Sequence, residues 1–241
     1  MFESIKRRID SVRRLKESMR GDLHIDPDKL PDFLRTDYYS EEVESALKSA
    51  AELLGVEMPR VVYVPYMSDY KVFAMSDILP KVSPEYFVAG IWEENYNTIY
   101  LAIYDAAFEL RFGSQRIMNE GMLAFTALHE LRHAYQKANE EEKYFSGENA
   151  VGLKAHLDDD SEIDADAFAI AYYLNNINPN LDSMGEAVQV LCNIDSGKRA
   201  RRVHEICRLY GWTVLVVVEG YIPEEVKAIL SPAELRARGV M

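Results

Sequence analysis

What this chain lacks narrows its class before any motif is read. Cysteine is nearly absent: Cys192 and Cys207 are the two in 241 residues, too few for a disulfide-stapled scaffold. A reducing, intracellular setting with two packed thiols is the default, and neither is counted as a metal ligand. Long apolar runs are missing as well. The longest near the C-terminal end, Val214 to Val218, is far short of the about 20 residues that a bilayer span needs. No secretory signal is visible at the N-terminus, where Ile5, Ile9, Val12 and Leu15 alternate with Lys6, Arg7, Arg8, Arg13, Arg14 and Lys16. The expectation is a cytoplasmic protein with no membrane partner.

An excess of positive charge is the third absence. The formal net charge is −13, and phosphate neutralisation supplies most nucleic-acid affinity, so general nucleic-acid binding is excluded. Positive charge is local instead. Residues 1 to 20 carry seven Lys/Arg against three Asp/Glu, and Lys198, Arg199, Arg201, Arg202 and Arg208 form a second cluster. Either cluster could dock an acidic partner or an anionic surface. The first is read as the solvated face of an amphipathic helix covering the core. Repeats and low-complexity stretches are also missing. At 48% hydrophobic, the chain can build one substantial core, or one core with a helical appendage.

What is present is concentrated in His129-Glu130-Leu131-Arg132-His133. Residues four apart on an α-helix share a face, so His129 and His133 can grip one metal ion. Glu130 can then take a proton from a metal-bound water, whose pKa zinc lowers towards 7. Chance alone gives roughly 0.01 such matches in a chain of this composition. The surroundings favour a helix: Ser114 to Asn139 contains no Pro, and Ala124, Leu128, Leu131 and Tyr135 recur at helical spacing. Gly113-Ser114 offers a helix start.

A tetrahedral catalytic zinc takes three protein ligands and leaves one position open. Gln136 and Asn139 occupy the positions where an extended motif would place a Gly and a third His, which excludes that arrangement. Glu162 is the better candidate. Asp158 to Ser161 is rich in helix-capping residues, so Glu162 to Asn175 reads as a second helix. On it Glu162 and Asp166 share a face: Glu162 would bind the metal while Asp166 accepts the N–H of a ligating His. Asp164 points elsewhere and reads as a capping residue. Glu148 and Asp158 to Asp160 remain substitutes for Glu162. For the oxyanion of a tetrahedral intermediate, His156 and His204 are the candidates. His24 carries no signal.

These two motifs resemble those of the gluzincin metallopeptidases, and within them the ImmA/IrrE-like family. The first is the helix Ala127 to Gln136. The second, Glu162 to Ala169, is similar to the family pattern Glu-x-x-Ala-Asn/Asp-x-Phe-Ala. Asn97 to Ile103 resembles the strand that precedes the family's active-site helix. The likeness covers roughly residues 40 to 175. Arg132 stands where a Gly often precedes the second His, the stretch after 176 has no counterpart, and no helix-turn-helix is visible. The resemblance implies a zincin-type peptidase with one Zn2+ per chain and a protein or peptide substrate. Family members occur in phages, mobile elements and stress regulons, where some cleave a transcriptional repressor. The alternative is an inactive zincin-like regulatory or phage-encoded partner-binding protein.

Fold expectations follow from the same segments. Residues 1–36 read as a basic amphipathic helix and a connector, 37–180 as a zincin-like core, and 181–241 as a mainly helical extension packed on it. Ser40 to Leu54 is expected as a helix with Gly55 as its stop. Residues 60–66, 86–92 and 98–104 are expected as strands, the last two flanking a hairpin loop at Glu93 to Asn97. Pro65 marks a strand end or an edge. The class is α+β, with a small mixed sheet of about three to four strands packed on the active-site helix. An edge strand of that sheet could bind an extended peptide. After residue 180, helices near 183–194 and 197–210 precede a strand-like 212–219.

Overall fold

A helix needs acceptors for its orphan N–H groups at one end and a way to turn its last carbonyls inward at the other. Helix α1 (Glu41–Leu54) has both. Ser40 is extended and its Oγ accepts the Val43 N–H, while Gly55 closes the C-terminus in the left-handed conformation at φ 66°. Glu41, Glu42 and Glu44 complement the helix dipole in the first turn. The Ser40 hydroxyl also donates to the carboxylate of Glu120, so the cap of α1 ties it to the start of the next helix.

In the computed structural model, the described residues are 26–30, 32–66, 89–105, 112–140, 143, 159–179 and 197–212. The protein is mixed α+β, with four α-helices and one three-stranded sheet among these residues. The chain divides into two units: Met1–Tyr39 with Pro59–Met118, and Ser40–Met58 with Asn119–Met241. The first holds the sheet and the second the helices.

Strands β1 (Arg60–Val64), β2 (Gly90–Glu93) and β3 (Thr98–Ala102) are ordered β1-β3-β2. The central strand β3 pairs in parallel with β1 and antiparallel with β2, with Val62 opposite Tyr100 and Ile91 opposite Tyr100. Every β3 residue is buried, as expected of a central strand of Ile, Tyr and Leu. β1 stops at Val64 immediately before Pro65. The β2–β3 connection is a hairpin through a single 3-10 turn at Glu94–Tyr96, closed by Asn97 at φ 43°. Asn is one of the few residues that tolerates this conformation.

Helix α2 (Glu120–Asn139) begins later than Ser114. Residues 116–118 instead run alongside the chain just after β3: Asp105 N–H bonds to Arg116 O at 2.9 Å and Met118 N–H to Ile103 O at 2.8 Å. Asn119 then caps α2, its Oδ1 accepting the Met122 N–H at 2.7 Å. A capping side chain beside backbone already engaged by a neighbouring strand outcompetes the Ser further back. Helix α3 (Asp160–Asn176) starts two residues before Glu162, with Asp159 as its cap. Helix α4 (Lys198–Tyr210) is bracketed by Gly197 and Gly211, both at positive φ.

Within the helical unit, α2 packs against α1 and α3, and α3 packs against α4. Leu123, Leu128, Leu131, Phe168 and Ile170 are fully buried. Alanines at 165, 167, 169 and 171 are buried too; their small side chains let α3 sit between two neighbours. The N-terminal helix expected over residues 1–20, the helix near 183–194 and, apart from Trp212, the strand expected over 212–219 lie outside the described residues. Among the described residues no helix is long and apolar enough to cross a membrane.

Two substitutions test this packing. Leu128→Ala should lower stability by about 2–5 kcal/mol through lost burial and a residual cavity. Ser40→Ala should cost about 1–2 kcal/mol for the lost cap. Urea unfolding midpoints measure both, and a midpoint unchanged by Leu128→Ala would contradict its place in the core.

Candidate metal centre

His129 and His133 lie one turn apart on α2, and their Nε2 atoms face each other at 3.0 Å. Glu162, in the first turn of α3, closes the group. Its Oε2 is 3.3 Å from His129 Nε2, and its Oε1 is 3.6 Å from His133 Nε2. The three side chains are 13%, 15% and 17% exposed, so the cluster is walled in but reached by solvent.

The other ring nitrogens decide what these atoms can do. His129 Nδ1 is 2.8 Å from Asp166 Oδ1, so it carries the proton and donates. His133 Nδ1 is 2.9 Å from Gln136 Oε1. The Gln136 amide can point only one way, because its Nε2 donates to Ser161 O and to Asp164 Oδ2, both at 2.9 Å. That assignment of the amide makes His133 Nδ1 a donor as well. Each imidazole therefore turns its Nε2 towards the other ring and towards the Glu162 carboxylate. With both Nδ1 atoms committed as donors, Nε2 is the atom through which each ring meets a cation, a proton or a metal ion.

The donor set fits a zinc-type ion. A tetrahedral site with bonds of about 2.0–2.1 Å has donor–donor edges of roughly 3.4 Å, and the three separations here bracket that length. In the described part of the chain His129, His133 and Glu162 are the group of His, Cys, Asp and Glu residues whose ligand atoms meet closely enough to hold an ion. Three ligands leave one tetrahedral position for water or substrate, as in a catalytic rather than a closed structural site.

Electrostatics around the cluster agree. Burial would lower the pKa of His129, but the Asp166 and Glu162 carboxylates outweigh it and hold the ring well above its usual value. Burial and the neighbouring His129 pull His133 down, while Glu162 and the Glu130 carboxylate raise it, with a net rise. Burial would raise Glu162, yet the two imidazoles hold its carboxyl far below the usual range. The carboxylates thus favour positive charge on the two rings, and the rings keep Glu162 ionised. Glu130 is a buried neighbour of His129 on α2.

Behind these three side chains lies a network that sequence spacing does not reveal. Asp164 is 1% exposed and is no cap. Being two residues from Asp166, it faces a different side of α3, and its Oδ2 accepts from Arg132 Nε at 2.7 Å as well as from Gln136. Its Oδ1 accepts from Arg202 Nε at 2.7 Å. Arg132 is buried, with its guanidinium over the rings of Tyr135 and Phe168 at 4.3 and 5.3 Å. Arg132 thus links α2 to α3. Arg199, fully buried on α4, donates from Nε to Asp166 Oδ2 at 2.6 Å. Part of the basic cluster on α4 is therefore internal wiring and not a docking face.

A signal for this was present. Lys198, Arg199 and Arg201 crowd the positive end of a helix dipole, an unfavourable placement that calls for a buried acidic partner. Asp164 and Asp166 likewise interrupt an otherwise apolar run.

The remaining candidates fall elsewhere. Asp159 is the α3 cap, and Asp160 is exposed at its first turn. His204 is partly buried on α4, about 140° around that helix from Arg199 by helical geometry. His156, Glu148, Asp158, His24 and Cys192 lie outside the described residues; Cys207 is buried on α4. No protein-family model matches the chain, and no curated protein or solved structure was found to be similar to it.

Burial would raise the carboxyl pKa of Asp164, but Arg132, Gln136 and Arg202 outweigh it and hold it below the ordinary 3.8. A depressed folded pKa contributes stability above the unfolded value, and that stability is lost as pH falls through the folded one. Asp164→Asn should therefore destabilise at pH 7, by about 3–5 kcal/mol if it leaves the Arg132 charge unpaired. It should also flatten the loss of stability between pH 4 and the acid limit. Urea midpoints across pH measure both, and parallel curves for the two proteins would contradict the assignment.

Proposed function

We propose that this chain is a zinc-dependent endopeptidase of the gluzincin type, acting on a protein or peptide substrate. The observation that carries the reading is the convergence of two imidazole Nε2 atoms and one carboxylate, with both Nδ1 protons already committed to Asp166 and Gln136. An open three-ligand set with a carboxylate beside it serves hydrolysis better than storage or scaffolding. The motif resemblance supports the same class, and a regulator such as a repressor is the substrate it implies.

Zinc held by His129, His133 and Glu162 would supply Lewis acidity, lowering the pKa of a water molecule and polarising the substrate carbonyl. The chain's own groups supply the rest. Asp166 and Gln136 hold the two rings in the tautomer that presents Nε2. Glu130 takes the proton from the attacking water as the new C–O bond forms. It returns that proton to the amide nitrogen as the C–N bond breaks, so the amine leaves neutral. Buried Asp166 and Arg199 keep the ligand ring from turning while charge moves in front of it.

Two outcomes are expected. Glu130→Gln should retain one zinc per chain yet cut hydrolysis of a peptide library by about 10²–10⁴-fold; undiminished cleavage by the variant would refute the role. Zinc should also stabilise the fold, since its ligands come from two helices. At a free concentration a thousandfold above Kd the gain is about 4 kcal/mol, reversed by a chelator. The gain should shrink as pH falls, because protons held on the raised-pKa histidines compete with the metal. A urea midpoint indifferent to zinc at every pH would contradict the site.

A further inference from the structure

Both imidazoles are tied, through separate chains of hydrogen bonds, to one element that neither sequence motif includes. From His129 the chain runs Nδ1 to Asp166 Oδ1, then Asp166 Oδ2 to Arg199 Nε, at 2.8 and 2.6 Å. From His133 it runs Nδ1 to Gln136 Oε1 at 2.9 Å, Gln136 Nε2 to Asp164 Oδ2 at 2.9 Å, and Asp164 Oδ1 to Arg202 Nε at 2.7 Å. Arg199 and Arg202 are three residues apart on α4 and so lie on neighbouring positions of one face. Arg199, Asp164, Asp166 and Gln136 are all buried.

We propose that α4 completes the metal centre, with Arg199 and Arg202 as positioning residues that hold the two ligand imidazoles through Asp166 and through Asp164 and Gln136. This rests on the zinc reading above. Each carboxylate has two oxygens to satisfy. An Asp166 bonded only to His129 could rotate about its side-chain bonds and release the ring; with Arg199 on the second oxygen it is held from both sides. Partners one step removed from a metal set the orientation and basicity of its ligands. Metal affinity and the docking of α4 are then linked: each must strengthen the other by the same factor.

The sign of the effect separates this from simple charge. Near a dication a guanidinium is repulsive, so removing it would tighten zinc binding if Coulomb forces alone acted. Positioning predicts the opposite. Zinc affinity is measured by competition with a chromophoric chelator on the full chain, with folding checked by circular dichroism. Arg199→Gln should weaken binding by about 10–100-fold, with Arg199→Lys between it and wild type. In an Asp166→Asn background Arg199→Gln should add nothing, because it acts through that carboxylate. Arg201→Gln, an exposed neighbour on α4, should change nothing. The cobalt-substituted protein should show an altered d–d spectrum in Arg199→Gln.

If Arg199→Gln does not fold, the partly exposed Arg202 serves instead: Arg202→Gln should weaken zinc severalfold, and not further when Gln136→Ala is present. Zinc should also slow amide exchange over residues 198–210 in the wild type. Affinity unchanged or tightened in the folded Arg199 and Arg202 variants would overturn the proposal. If the wild type itself binds no zinc, the metal reading fails first, and that outcome is distinguishable.

Discussion

Two imidazole Nε2 atoms held 3.0 Å apart, with one carboxylate against both, are an arrangement that helical spacing alone does not fix. Helical spacing brings the rings to the same face, but it leaves each free to turn its Nδ1 or its Nε2 inward. What removes that freedom is the acceptor placed behind each ring: Asp166 for one, and a Gln136 amide pinned by two further bonds for the other. Holding these three side chains in one orientation is the constraint that the helical unit sustains.

Sustaining it requires charges inside the fold. Asp164, Asp166, Arg132 and Arg199 are all nearly inaccessible, and burying any of them alone would cost several kcal/mol. They occur instead as a closed network in which each carboxylate oxygen has a donor and each guanidinium an acceptor. Such a network adds little net stability over a well-packed apolar core. It adds direction, because low dielectric makes the correct pairing far better than any alternative. The alanine-rich middle of α3 serves the same end, letting that helix lie close enough to α2 and α4 for short side chains such as Asp to bridge.

The parts of this account legible in the sequence are those governed by local periodicity. His129 with His133, and Glu162 with Asp166, are each four residues apart, and the structure brings all four side chains together. The Ser40 and Gly55 ends of α1 and the hairpin around Asn97 were legible because caps and tight turns need particular residues. The start of α2 was not, because residues 116–118 are claimed by backbone partners near residue 104 that no local pattern reveals. Asp164 was misread as a cap for the same reason: its partners, Arg132 and Arg202, are 32 and 38 residues away. Pairings across that distance depend on which faces of three helices meet.

The most direct test of the central claim is metal content. Elemental mass spectrometry on the full chain, purified without added metal, should find about one zinc per molecule, lost or much reduced in His133→Ala and in Glu162→Ala. No metal in the wild type, even after zinc is supplied, would contradict the claim that these three side chains form a metal centre.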